Sequence, residues 1–270
     1  MSQGKHITRR IRILVKAFPQ PSSKYEETVC CAGVTEDTRE LLRLYPIRYR
    51  RLDKADRFDR FDQVEMTTTK AGDHRPESYH VDEDSIHLLE KGSKLNARSK
   101  VELWKPFIAP SLKALMEENR TSHKSLGIIR PDPDSLRFRI QQVKETDNAD
   151  QKVTNLIFQQ QISFLEEPLK PLKRPEYSFS YHYTCDGHPH KHQIHDWEVQ
   201  ATLINYQRRY GSEEKALEMM QQEYQENIPK HNLHFIMGTM KAHPQTFIVI
   251  GLLRSTIDPQ ELDRQGVLPV

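Results

Sequence analysis

Residues 181–195 read Y-H-Y-T-C-D-G-H-P-H-K-H-Q-I-H and hold five of the chain's thirteen histidines and one of its three cysteines. Imidazole and thiolate bind zinc and similar borderline-soft ions most readily, so the stretch reads as a metal knuckle. Cys185-x2-His188 and His192-x2-His195 form two ligand pairs, with His190 between them as an alternative ligand. A tight turn can aim both members of such a pair at one ion. The pairs lie close together, so a fourth ligand could also come from Cys30, Cys31 or His182. The competing reading is a His-rich polar loop without metal, and the density of candidate ligands favours zinc.

Directly after the cluster, Asp196-Trp197-Glu198 opens a helical pattern, with Asp196 as a helix cap. A catalytic ion keeps an open coordination position and a nearby acid or base. Asp196 and Glu198 are the weak candidates for that role. They stand two apart, on different sides of a helix, and no H-E-x-x-H spacing is present. The expected ion is therefore structural. No P-loop, G-x-S-x-G elbow or dinucleotide fingerprint is found either.

Working outward, Trp197–Tyr210 reads as a helix stopped by Gly211, and Ser212 caps a second helix that Pro229 closes. Leu233–Thr239 and Thr246–Leu253 read as strands, the second apolar enough to be central. In the first half, strands are expected over Ile11–Phe18, Thr28–Val34, Leu41–Leu52, Phe61–Thr69, Ser125–Pro131 and Leu136–Val143, and a helix capped by Ser111 runs to Asn119. Asn155–Phe164 reads as a further strand, and P-L-K-P-L-K-R-P over residues 168–175 as a semi-rigid connector. The expected organisation is α+β: a β-rich region over 1–165, then a small α+β unit over 166–270 that carries the knuckle.

The net charge of +2 is unevenly spread. Residues 1–16 carry five Lys or Arg and no acid, and residues 39–60 carry eight against four Asp or Glu. In I-R-Y-R-R-L, an extended strand would set Arg48 and Arg50 on one face and Tyr49 and Arg51 on the other. Guanidiniums beside aromatics suit phosphate contact and base stacking; the alternative is a solvated edge protected by charge. No apolar run approaches the ~20 residues of a membrane helix, and no apolar segment follows the basic N-terminus. The odd cysteine count gives no disulfide framework, so a reducing cytoplasm is expected.

Cys31-Ala32-Gly33-Val34, followed by Leu41-Leu42-Arg43-Leu44-Tyr45-Pro46, resembles the C-x-A-G-I and W-I-R signature of bacterial proteins with a dual OB-type domain, with Leu41 in place of the tryptophan. The resemblance covers roughly the first ninety residues. It implies an OB-like β-barrel with Arg43 as a contact, and a setting in bacterial defence or on a mobile element. Arg43, Tyr45, Arg48, Tyr49 and Arg50 are then the expected nucleic-acid contacts, single strands favoured. Asp73-His-Arg-Pro-Glu-Ser78 reads as an Asx turn locked by Arg75 rather than as an acid–base pair of His74 and Glu77. The expected function is nucleic-acid binding with a structural zinc; a metal-dependent nuclease using Asp196 and Glu198, and a scaffold subunit, are the alternatives.

Overall fold

Strand β1 (Ile7–Lys16) alternates poorly because apolar partners lie on both of its faces. Ile11 and Ile13 enter one core, whereas Leu14 and Val15 enter another. Strand β3 (Glu26–Thr35) divides in the same way, Val29 and Cys31 against Ala32 and Val34. The structure is a computed structural model and describes residues 5–22, 26–143, 175–240 and 242–261.

With β4 (Leu41–Ile47), β5 (Gln63–Lys70) and β6 (Ser78–Glu90), these strands form a closed ring in the order β1-β5-β6-β4-β3, with β3 returning to β1. Only the β4–β6 pair in the ring is parallel. A short strand, β2 (Gln20–Ser22), extends β3 outward. Inside the ring, Leu44, Ile47, Val64 and Met66 pack around Phe58, all fully buried.

The second sheet contains β7 (Leu126–Ile129), β8 (Arg137–Gln142), β9 (Tyr177–Cys185), β10 (His188–Ile194), β11 (His234–Met240) and β12 (His243–Leu253), in the order β7-β11-β12-β10-β9-β8. As its apolar run requires, β12 is central. Four α-helices occur among the described residues: α1 (Ala97–Trp104), α2 (Leu112–Ser122), α3 (Trp197–Tyr210) and α4 (Glu213–Gln222). Val199 and Leu203 of α3 and Ala216 and Met220 of α4 cover one side of the second sheet. The architecture is mixed α+β. None of the helices is long and apolar enough to cross a membrane.

The opposite side of β7, β11 and β12 lies on the outside of the ring. Leu14, Val15, Ala32, Val34 and Leu41 of the ring share one core with Ile128, Ile236 and Ile250 of the second sheet. The approach is close enough to require glycine: a Cβ on Gly251 would lie 2.5 Å from Val15 Cγ2. The two sheets thus bury each other's apolar faces.

Several expectations need correction. The expected strand through Leu52 ends at Ile47, and Tyr49–Arg51 form a 3-10 turn, so Arg48 and Arg50 do not alternate along a strand. Strand β6 and helix α1 were not expected. Both β7 and β8 belong to the second sheet, so the change of sheet falls between Glu90 and Leu126. The expected division at 165/166, the strand at Asn155–Phe164 and residues 168–174 of the connector lie outside the described residues.

Candidate functional site

The His-rich stretch is a β-hairpin. Tyr177, Phe179, Tyr181 and Tyr183 alternate with Ser178, Ser180, His182 and Thr184 along β9, the period-2 pattern of a strand with one buried face. Asp186 and Gly187 follow at φ 53° and 73°, the positive values that a two-residue type I′ turn requires of both central residues. Cys185 consequently pairs with His188, Tyr183 with His190 and Tyr181 with His192.

This register sets Cys185, His188, His190 and His192 on one face of the hairpin and leaves His195 apart. His188, His190 and His192 share the inner face of β10, while His195 falls on the outer one. Cys185 is buried, and its thiol faces the carbonyl of Arg130 at 3.6 Å. Burial pushes that thiol's pKa up, away from the thiolate a metal needs. Nδ1 of His192 lies 2.9 Å from the Tyr183 hydroxyl, and burial, with His190 beside it, holds its pKa down at about 4. Among the described residues no three His, Cys, Asp or Glu side chains are gathered where they could hold a metal ion. Strand alternation parts only His195 from the others, and Cys185, His188, His190 and His192 are spaced out along the hairpin ladder instead of gathering at one point.

The outer face of this hairpin and of the adjoining β8 is different. Arg137 of β8, His182 of β9 and Lys191 of β10 stand in one cross-strand row, with Arg139, Ser180 and Gln193 in the next. Gln141 and Ser178 begin a third. None of the outward positions of β8, β9 and β10 carries a carboxylate; the nearest acids in sequence, Glu176 and Asp186, lie beyond the ends of β9. Arg137, Arg139 and Lys191 are exposed. Among the described residues Arg137 donates only to backbone carbonyls, those of Asp134 at 3.0 Å and Leu136 at 2.8 Å. Arg139 and Lys191 have no ion-pair partner among the described residues.

Where this face meets the ring, its second and third rows line a cleft of about 750 Å³. Phe18, Pro19 and Gln20 wall it on one side, with Gln141, Ser178, Ser180, Gln193 and His195 opposite. The wall is fixed in place, because the backbone N–H of Phe18 donates to the His195 carbonyl at 2.7 Å. Lys191 borders both this cleft and a shallower depression beside Arg137 and His182.

The basic residues expected to bind nucleic acid have other partners. Arg43 is buried and donates to the carbonyl and hydroxyl of Ser125 at 3.0 and 3.1 Å, joining the ring to the second sheet. Arg48 pairs with Glu83 at 2.6 Å and Arg50 with the buried Glu27 at 2.8 Å. Tyr49 donates to the Phe58 carbonyl at 2.6 Å and lies under Lys16, 4.4 Å from its ring centroid. Tyr45 remains partly exposed, its hydroxyl accepting from Thr28 at 3.2 Å. Arg48 and Arg50 thus tie the ring to itself through acids distant in sequence, which the local pattern does not show.

Asp196 is likewise occupied. One of its oxygens caps α3 by accepting from the Glu198 N–H at 2.9 Å; the other accepts from Leu252 N at 2.9 Å and Arg60 at 2.8 Å. Glu198 lies 3.1 Å from the same guanidinium, half exposed. Desolvation of its inward-facing part raises its pKa, as does Asp196, while Arg60 opposes the rise. In D-H-R-P-E-S the turn reading holds: Asp73 accepts from the backbone N–H of Arg75 at 3.0 Å and from its Nε at 3.1 Å. Glu77 accepts from Ser125 N at 2.6 Å and from its hydroxyl, a tie between the sheets rather than a catalytic base.

Residues 109–267 match the family described as Domain of unknown function (DUF8757), and the chain belongs to that family. Residues 7–106 match a second, Domain of unknown function (DUF8758). The two matches meet between α1 and α2, where the chain leaves the ring for the second sheet. No curated protein matches the chain.

Proposed function

We propose that the protein binds single-stranded nucleic acid on the outer face of β8, β9 and β10. The observation that carries this reading is an exposed sheet face with Arg137, Arg139, His182 and Lys191 and no carboxylate among its outward positions. On a chain that is nearly charge-balanced, a sheet face that carries cations and no carboxylate is a local patch of positive potential. Such a potential attracts a phosphate backbone and releases its counterions. The ring adds support. Numbered within the ring, its strands follow the order 1-2-3-5-4-1 with the third and fifth parallel, as expected of an OB-type barrel. OB-type barrels bind through the face of their second and third strands and the loops beside it. Here the second sheet covers that face, but the loop after the first strand walls the cleft next to the cationic rows.

Fluorescence anisotropy with single-stranded DNA, single-stranded RNA and duplex probes across a salt series tests the proposal. Replacing Arg139 and Lys191 together by Ala should weaken binding and reduce the salt slope by about 1.4, at roughly 0.7 per phosphate contact on a single strand. The Arg48→Ala, Arg50→Ala double variant, if still folded, should keep the wild-type slope, because both guanidiniums are engaged by acids. Unchanged affinity and slope in the Arg139/Lys191 variant would refute the assignment.

A further inference from the structure

We infer that the cleft at the ring–sheet junction receives the bases of a bound single strand, and that Gln20, Gln141 and Gln193 read their edges while the phosphates remain on the cationic rows outside. This deepens the proposed function and rests on it. The cleft and the cationic face meet at Lys191, and their chemistry differs on the two sides of that residue. Arg137 and His182 stand outside, and Arg139 flanks the row of Ser180 and Gln193; inside, the polar side chains are amides and hydroxyls with His195, and among the described residues no carboxylate lines the space.

A phosphate drawn into the cleft would lose water and find a single lysine at the entrance, an unfavourable exchange for an anion. A base is uncharged, has an apolar face, and carries donors and acceptors on its edge. A side-chain amide presents both a donor and an acceptor and can match such an edge in a bidentate way. Gln141 and Gln193 are exposed and make no side-chain hydrogen bond among the described residues, so their amides are available. Gln20 donates weakly to the Phe18 carbonyl at 3.3 Å and is exposed. Phe18 and Pro19 supply an apolar wall on which a base can rest. In a duplex the bases are stacked and paired, out of reach of a cleft walled on one side by the ring. The ligand class is therefore a single strand with unpaired bases.

The test measures wild-type protein, a Gln141→Ala, Gln193→Ala double variant and the Arg139→Ala, Lys191→Ala double variant against four homopolymeric oligonucleotides and a duplex, with circular dichroism as the check on folding. Wild type should prefer one homopolymer by about tenfold or more, the scale of one good bidentate base contact, and should bind the duplex more weakly than any single strand. The glutamine variant should lose most of that preference with an unchanged salt slope; the arginine–lysine variant should lose slope and keep the preference. Independently, a 5-iodouracil oligonucleotide should crosslink at Phe18 or its cleft neighbours. Absence of base preference in wild type, an unaltered preference in the glutamine variant, or crosslinks confined to residues outside the cleft would each overturn the inference. If the arginine–lysine variant still loses slope in those cases, the cationic-face assignment survives. Failure of wild type to bind any probe would overturn both.

Discussion

His234 shows how a single buried side chain links the fold to pH. It is 1% exposed, 4.8 Å from the Trp104 ring centroid, with its Nδ1 2.8 Å from the Asn232 carbonyl. Burial holds its pKa down at about 4, with Arg130 contributing in the same direction. A histidine depressed in the folded state contributes stability that is complete above its unfolded pKa of about 6.5 and is lost as pH falls toward the folded value. Between pH 7 and 4.5 this one group should remove about 2–3 kcal/mol, at ~1.4 kcal/mol per pH unit. Urea unfolding of wild type and His234→Gln at both pH values checks it: the variant should show a visibly flatter pH dependence, and parallel losses would exclude the assignment. The second residue-scale prediction concerns the pair at the head of α3. Asp196→Ala removes a helix cap and leaves Arg60 with less compensation, so it should cost about 3–5 kcal/mol. Glu198→Gln, at a half-exposed position, should stay near neutral. Comparable losses in the two variants would show that the cap and buried pair do not dominate.

At the scale of elements, the hairpin of β9 and β10 depends on a turn with two positive φ values. Gly187 sits at φ 73° with open space around its missing Cβ, so Gly187→Ala meets no clash and should cost only the conformational penalty, about 1 kcal/mol. A much larger loss in chemical denaturation would mean the turn does more than reverse the chain. The same hairpin shows what could be read from sequence and what could not. The α3 span and the start of α4 are legible because their signals are local: Asp196 and Ser212 accept backbone N–H bonds at the starts, and Gly211 takes φ 63° between them. For the hairpin, the density of histidines masks the alternation of Tyr177, Phe179, Tyr181 and Tyr183 and the Asp-Gly turn, which are the local signals of a strand pair. Strand β6 escaped notice because Asp82, Glu83 and Asp84 interrupt its apolar positions and its pairing with β5 shifts register twice. The cationic face was illegible for a different reason. Arg137 and Arg139 stand about fifty residues from Lys191, and only the register of β8, β9 and β10 sets them side by side.

For the whole molecule, the decisive feature is the core shared between the ring and the second sheet. Val15 and Val34 on one side and Ile128, Ile236 and Ile250 on the other form one apolar layer, and buried polar ties cross the same junction: Arg43 to Ser125, and Arg60 to Asp196. Two units that interact this extensively should not unfold separately, even though two family matches divide the chain. Calorimetry of the intact chain should therefore give a single cooperative transition with agreeing calorimetric and van't Hoff enthalpies. A fragment ending near residue 106 would leave Leu14, Val15, Ala32, Val34 and Leu41 without their covering sheet, and should aggregate or remain poorly folded. Gly251→Ala offers a finer probe. The added Cβ would lie 2.5 Å from Val15 Cγ2, so the sheets must shift apart. The overpacking should cost about 1–3 kcal/mol and broaden the transition, because the strain falls on the joint rather than within either sheet. If the variant instead unfolds with wild-type midpoint and sharpness, or if the wild-type chain melts in two resolved steps, the sheets are independent and the cleft between them is not a preformed groove. That outcome would also remove the structural basis for reading bases there, since the wall at Phe18 and the floor at Ser180 and Gln193 would no longer hold a fixed separation.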